Sequence, residues 1–480
     1  MSDGHATRRE FVGAGAAAAA TFAIGTGAAQ AADRPNVVVI VIDSLRADHA
    51  FGKRARTPNI DALGREGIRF TQTFPEAMPT VPARNSILSG RRYFPFRHWH
   101  DYPELLAHPG WSPIVDVKHT FTSQLRKAGY FTAYVTDNPF LSFSSPYNPL
   151  RHSFNRFRRR GGEVGGRDTG VSAKELRHWV PPALDDAGTR DRVRRYLSNG
   201  GYQHDETKSF AARVFKDGAR RLEVARQHRP FALVVDTYEP HEPWTPPRKY
   251  LDMYGDPDYH GPEPARPYYT RLDNYLHGRD RQILPKRMQA LYAAEVTMTD
   301  RWLGVFLDRL HDLRLERDTI VVLVADHGVL VGDHGWSGKI SSRLYEELIH
   351  VPLIVVDPER RKANRSRSYF ASTHDVGPTI LSMAGLDVPE RMTGVNLGAF
   401  FSGRRPPERP YAYGGYGNYH YVHTDKWKLW ARNDHADVHL IDRKGDPGEH
   451  RNLARSHRKK VHELEAVVRR KAGGPLPYYR

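Results

Sequence analysis

Three stretches of this sequence end an apolar run in carboxylates and imidazoles. Asn36–Ile42 runs into Asp43-Ser44-Leu45-Arg46-Ala47-Asp48-His49. Phe231–Val235 runs into Asp236-Thr237-Tyr238-Glu239-Pro240-His241-Glu242-Pro243. Thr319–Val324 leads to Asp326-His327-Gly328, then Gly332-Asp333-His334-Gly335 and Lys339. One aspartate after one strand is usually a turn or cap residue. Three such ends together point to a shared site, in which Asp43, Asp326 and His327 form an oxygen–nitrogen shell for a divalent cation. So few carboxylates beside an imidazole favour Mn²⁺ or Zn²⁺, with Ca²⁺ also admissible.

A hydroxyl completes the set. In Met78-Pro79-Thr80-Val81-Pro82-Ala83-Arg84-Asn85-Ser86-Ile87-Leu88-Ser89-Gly90, the residues after Thr80 read as a short helix. Thr80 fits its N-cap, Pro82 its first turn and Gly90 its stop. A hydroxyl at a helix N-terminus lies beside unpaired amides and the positive end of the dipole, which favours an alkoxide and a bound oxyanion. Arg84, one turn on, shares that face.

The elements that must position these groups follow from periodicity. Asn36–Ile42, Tyr130–Val135, Phe231–Val235 and Thr319–Val324 read as buried strands of a parallel sheet, with Val351–Val356 a fifth. Helical patterns at Phe121–Lys127 and Leu291–Leu310 intervene, which makes an α/β layered fold. Ligands in such sheets bind at the carboxyl ends of the strands, where these acids stand. Residues near 150–205 and 253–286, rich in Arg, Gly, Pro and Tyr, read as insertions or site-shaping loops. After about residue 400 the pattern turns to short antiparallel strands, Tyr411–Tyr421, Lys426–Trp430 and Val438–Ile441, and a helix at Lys459–Lys471. The expected organisation is a leader at 1–31, a catalytic domain at 32–400 and an α+β subdomain at 401–480.

The chain has 480 residues, a formal charge of +17 and no cysteine. The missing cysteine excludes disulfides, thiolate metal sites, a thiol nucleophile and any group made from cysteine. Thr7-Arg8-Arg9 before the Ala- and Gly-rich run Val12–Ala29, with small residues at Ala29 and Ala31, looks like a twin-arginine export signal. No later stretch has the roughly 18 uninterrupted apolar residues of a membrane span, so an extracellular or cell-envelope protein is expected. Basic clusters at Arg156, Arg158, Arg159 and Arg160, and at Arg360, Arg361, Lys362, Arg365 and Arg367, read either as a solvated surface or as a face for a cell-envelope polyanion. No obligate nucleic-acid partner is implied.

These motifs, in this order, resemble the sulfatase family of the alkaline phosphatase superfamily. Asp43–Asp48 and Thr57-Pro58-Asn59 resemble its first metal motif and the segment after it; Thr80–Gly90 resembles its nucleophile signature. Pro240-His241-Glu242-Pro243, Asp326-His327-Gly328 with Lys339, Asp375–Thr379 and Asp446–Glu449 match later motifs. The resemblance implies an alkaline-phosphatase-like sandwich: a central, mostly parallel sheet with helices on both faces, plus a smaller C-terminal α+β subdomain. It also implies roles: Thr80 attacks, Arg84 and Lys339 face the substrate anion, His241 is the candidate general acid, and His334 is a weaker one or an orienting residue. Likeness to the two-zinc phosphodiesterase relatives implies, as a weaker alternative, a second ion held by Asp236, His241 and His374.

Three departures bear on the chemistry. The family's formylglycine precursor is Cys or Ser, and this chain has Thr80, so no formylglycine is expected. Ser44 replaces the second aspartate of the first motif. Val135-Thr136-Asp137-Asn138-Pro139 stands where Gly-Lys-Trp-His is usual. A formylglycine hydrate has one hydroxyl to attack sulfur and another to expel sulfate; threonine has one only. A phosphorylated threonine is cleared by attack at phosphorus, the ordinary double displacement of covalent catalysis. The sequence therefore predicts hydrolysis or transfer on phosphoesters, foremost phosphodiesters. Sulfate-ester hydrolysis and a catalytically retired polyanion-binding protein are the alternatives.

Overall fold

The computed structural model describes Met1 and residues 34–480 except 104, 115, 142–148, 163–169 and 201–204. The leader read at 1–31 lies outside the described residues, apart from Met1. In chain order the strands are β1 (Asn36–Ile42), β2 (Ile68–Phe74), β3 (Ala77–Met78), β4 (Phe131–Thr136), β5 (Arg156–Arg159), β6 (Phe231–Thr237) and β7 (Thr319–Ala325). Then come β8 (Leu330–Val331), β9 (Ser337–Gly338), β10 (Leu353–Val356), β11 (Arg365–Ser372), β12 (Tyr411–Tyr416), β13 (Tyr419–Thr424), β14 (Trp427–Arg432) and β15 (His439–Asp442).

The large sheet has the order β11-β2-β10-β7-β1-β6-β4-β5. Its centre is parallel, with β1 between β7 and β6. Only β10 runs against its neighbours, so Val351–Val356 is a strand but not a parallel one. The period-2 alternation of strands sends Val38, Ile40 and Ile42 into one apolar core and Val37, Val39 and Val41 into the other. Both faces are therefore covered, as a continuous apolar run requires. The helices that matter for the site are α1 (Thr80–Ser89), α2 (Phe121–Lys127), α3 (Phe210–Ala225), α4 (Gly278–Asp312) and α5 (Arg458–Lys471). Residues of α3 and α4 fill the first core, and residues of α1 and α2 join the second.

Several sequence expectations change here. α4 begins at Gly278, thirteen residues before the periodic pattern starts at Leu291, because Pro285 reads as a breaker yet lies inside the helix. The stretch 150–205 contains β5 and helices at Ala173–Trp179 and Ala187–Gly200. β2, β5 and β11 carry too many polar residues to read as buried runs. Tyr411–Tyr421 is not one strand but a hairpin, β12 and β13, turning at Gly417, whose φ of 56° is left-handed.

The two basic clusters fall largely on the two edges of this sheet: Arg156, Arg158 and Arg159 on β5, Arg365 and Arg367 on β11. Charge on an edge strand blocks pairing with another chain. Arg360 and Arg361 pair with Glu66 and Asp357 at 2.7 Å each. Lys362 and Arg367 line a cavity of about 700 Å³ together with Arg404, Arg405, Tyr369 and Phe400.

The second sheet, β15-β14-β13-β12-β3, ties the C-terminal segment to the site. β3 pairs with β12 through Ala77↔Gly415 and Met78↔Tyr416, two residues before Thr80. The 401–480 segment thus supports the entry to α1.

Candidate active site

α1 begins at Thr80 and ends at Gly90, whose φ of 62° is left-handed and whose Cβ, if present, would lie 2.8 Å from Pro378 Cδ. Pro79, not Thr80, holds the N-cap place, and Thr80 is the first helical residue. Its hydroxyl is free of capping because it turns towards the metal motif. Thr80 Oγ1 lies 3.4 Å from His327 Nε2. Both residues are buried.

Asp43, at the end of β1, and Asp326 and His327, at the end of the adjacent β7, place one ligand atom each within 4.8 Å of one another. His327 Nδ1 donates to the Gly328 carbonyl at 2.9 Å. That bond fixes the tautomer and leaves the Nε2 lone pair pointing inward. Asp326 Oδ1 accepts from the amides of His327 and Ser44 at 2.7 and 3.0 Å. Ser44 Oγ donates to Asp43 Oδ1 at 2.7 Å. Asp43 Oδ2 is buried and accepts no hydrogen bond; Arg84 Nη1 is 3.1 Å away, but out of line. An orphaned buried carboxylate oxygen is what a bound cation would satisfy.

Charge supports the same fit. Arg84 binds Asp236 through two parallel bonds, Nε to Oδ2 at 2.9 Å and Nη2 to Oδ1 at 2.7 Å, and reaches Asp326 Oδ2 at 2.6 Å. Tyr134 donates to Asp236 Oδ2 at 2.6 Å. One guanidinium thus meets three buried carboxylates, and a divalent ion would balance the remainder. Burial, then repulsion from Asp326, holds the Asp43 carboxyl well above its ordinary range. Burial also works against charge on Asp326, while the Arg84 guanidinium and the Ser44 amide favour it and hold the carboxyl low.

The other expected residues surround this core. Arg84 is brought to the carboxylates rather than left facing an open pocket. His241 Nδ1 donates to the Glu242 carbonyl at 2.7 Å, so its Nε2 accepts from the Tyr238 hydroxyl at 2.7 Å. Burial, aided by Lys339, pushes its pKa down to about 3 and keeps the ring neutral. The acid role expected for His241 needs a proton at Nε2, which this tautomer lacks. Lys339 Nζ pairs with Glu242 Oε2 at 2.8 Å. His334 sits apart, 3.1 Å from Glu347 Oε2 and stacked on Tyr345. Asp236 is committed to Arg84 and His374 bonds Ser372 at 3.0 Å. Among the described residues the ligand-spaced groups are Asp43–Asp326–His327 and His334–Glu347–Glu449, so the second site weighed from Asp236, His241 and His374 is not assembled.

Three further residues hold this constellation together, and their contacts are not visible in the sequence. Arg46 is buried, holds Asp48 through Nε and Nη2, and reaches Asp333 at 2.8 Å, locking the first metal motif to the second. Tyr292 of α4 donates to the Ser44 carbonyl at 2.7 Å. Glu242 lies inside a quoted motif, but its neighbour Lys339 is 97 residues away, so sequence spacing gave no sign of the pair.

A sulfatase family model matches residues 35–386, the span that carries every residue of this constellation. The chain belongs to the sulfatase family. The model for the C-terminal region of N-sulphoglucosamine sulphohydrolase matches residues 332–471 of this sulfatase-family chain. An arylsulfatase of Clostridium perfringens is 25% identical over 468 residues, covering 91% of this chain and 94% of that protein. The multifunctional alkaline phosphatase superfamily protein PehA of Trinickia caryophylli is 26% identical over 430 residues, covering 78% of each. The phosphonate monoester hydrolase of Silicibacter pomeroyi shares the fold, with a TM-score of 0.67 at 21% identity over 91% of this chain and 94% of that one. The chain is a hydrolase of this family, whose members generally bind a divalent metal. No helix among the described residues is long and apolar enough to cross a membrane.

Proposed function

We propose that this protein hydrolyses, or transfers from, phosphodiesters with Thr80 as the nucleophile. The supporting observation is the Thr80 hydroxyl: buried, uncommitted to capping, at the start of α1 and 3.4 Å from His327 Nε2. Its oxygen attacks phosphorus, the P–O bond to one alcohol breaks, and that alcohol leaves with a proton. Water or a second alcohol then attacks phosphorus and frees Thr80. Asp43, Asp326 and His327 would hold the metal, with Mn²⁺ or Zn²⁺ favoured over Ca²⁺ by two carboxylates and an imidazole. When bound, the ion supplies Lewis acidity that neutralises the attacking oxygen and the transferring group. Arg84, fixed by Asp236, keeps the helix start in place, and Lys339 contributes positive charge at the substrate side.

Relatives named as phosphonate monoester hydrolase and multifunctional superfamily protein are in keeping with phosphorus chemistry on this scaffold. The second reading is sulfate-ester hydrolysis, favoured by the arylsulfatase relative. A panel of matched aryl sulfate, phosphate monoester, phosphodiester and phosphonate ester decides between them. Fastest turnover of the diester supports the proposal, and fastest turnover of the sulfate overturns it. Export by the twin-arginine route is proposed from Arg8 and Arg9; replacing both by Lys should trap precursor in the cell. The Lys362–Arg405 cavity is proposed as the contact for an envelope polyanion.

A further inference from the structure

Lys339 enters the site already paired. Its Nζ is 2.8 Å from Glu242 Oε2, and both side chains are buried. The other Glu242 oxygen accepts from the Tyr269 hydroxyl. Burial works against charge on Glu242, and the Lys339 ammonium bonded to it works for the charge. Arg266 is a further cation close enough to feel Glu242.

The remaining charges are matched too. Arg84 and a divalent ion would together carry three positive charges, which Asp43, Asp236 and Asp326 match once each. Glu242 therefore cancels the cation that would otherwise meet a second negative charge on the transferred group. Buried charge without a partner is costly, so the pocket discriminates by charge count. We propose that Glu242 is a specificity-determining residue: by pairing with Lys339 it fits the site to an ester group bearing one negative charge and against a dianionic phosphate monoester. This rests on the proposed substrate-facing role of Lys339. It does not depend on whether phosphorus or sulfur is transferred, since phosphodiesters and sulfate esters are both monoanions.

The test compares a matched aryl phosphate monoester and aryl methyl phosphodiester at pH 8, where the monoester, with its second pKa of about 6, is a dianion. Glu242→Gln should raise the monoester-to-diester ratio of kcat/KM about tenfold or more, mainly through a lower monoester KM. Glu242→Asp, which keeps the charge, should hold the wild-type ratio even if both rates fall. An unchanged ratio in Glu242→Gln overturns the proposal, because a merely structural carboxylate would slow both substrates alike. If Glu242→Gln does not fold, the wild type is read alone at pH 5 and pH 8. Its monoester-to-diester ratio should fall as the monoester loses its second proton, and a flat or rising ratio overturns the proposal. If neither phosphoester is turned over, the phosphoester reading has failed. Inorganic phosphate should then still inhibit aryl sulfate turnover more weakly at pH 8 than at pH 5, and equal inhibition overturns the charge rule.

Discussion

Ser44 bridges Asp43 and Asp326 with two donors: its hydroxyl to Asp43 Oδ1 at 2.7 Å and its amide to Asp326 Oδ1 at 3.0 Å. A residue that replaces a carboxylate thus orients the two that remain. Ser44 has a φ of 59°, a left-handed conformation that aspartate tolerates better than most residues. Ser44→Asp should add an anionic oxygen and shift selectivity towards Ca²⁺ over Mn²⁺ by about tenfold. Calorimetric titration of both ions into wild type and variant checks this. Identical selectivity would mean that position 44 does not face the ion.

Metal retention should track the three ligands. Asp326→Ala and Asp43→Asn are expected to lose most bound metal, while His334→Ala, remote from the cluster, keeps it. Elemental analysis of metal-loaded, desalted protein gives the ratio. Full occupancy in Asp326→Ala would remove the assignment.

Much of this was legible in the sequence. β1, β4, β6 and β7 are apolar runs long enough to be buried on both faces, and each ends where the site lies. Gly90 and Pro82 marked α1, and α2 and α5 were found almost to the residue. β2, β5 and β11 were not, since edge and near-edge strands carry arginines and threonines that break the apolar pattern. Thr80 was read as a cap because the local sequence permits it; only the approach of His327, 247 residues away, turns the hydroxyl elsewhere. The Arg84–Asp236 and Lys339–Glu242 pairs also arise from tertiary packing, which one sequence does not encode as spacing.

Asp137 supplies a pH signature. Its Oδ1 accepts from the Tyr238 amide at 2.8 Å, but Oδ2 is buried without a partner. Burial, with Glu239 and Asp236 nearby, pushes its pKa up to about 8. An unfolded aspartate ionises near about 4, so between pH 4 and 8 the native state holds a proton that the unfolded state has lost. Stability therefore falls as pH rises through that window and levels off above it. Asp137→Asn keeps an acceptor for Tyr238 and cannot ionise. Its melting temperature should gain on the wild type from pH 5 to pH 9, and parallel curves would contradict the assignment.

The sheet edges offer a separate check. Arg365 and Arg367 on β11 form no ion pair among the described residues. Replacing both with Val should expose a plain edge and promote concentration-dependent association on size-exclusion chromatography, with turnover per active site unchanged. A monomeric variant with lower turnover would place these arginines in catalysis instead.

The most direct test of the central claim is peptide mass spectrometry after acid quench of the enzyme with an aryl methyl phosphodiester. Attack by Thr80 expels the aryl alcohol, so the Thr80 peptide should carry a methylphosphoryl group. Thr80→Ala should show no adduct and lose roughly 10³-fold or more of the activity, yet melt near the wild-type temperature because Thr80 makes no capping bond. An unmodified Thr80 peptide, together with an active Thr80→Ala variant, would contradict the account.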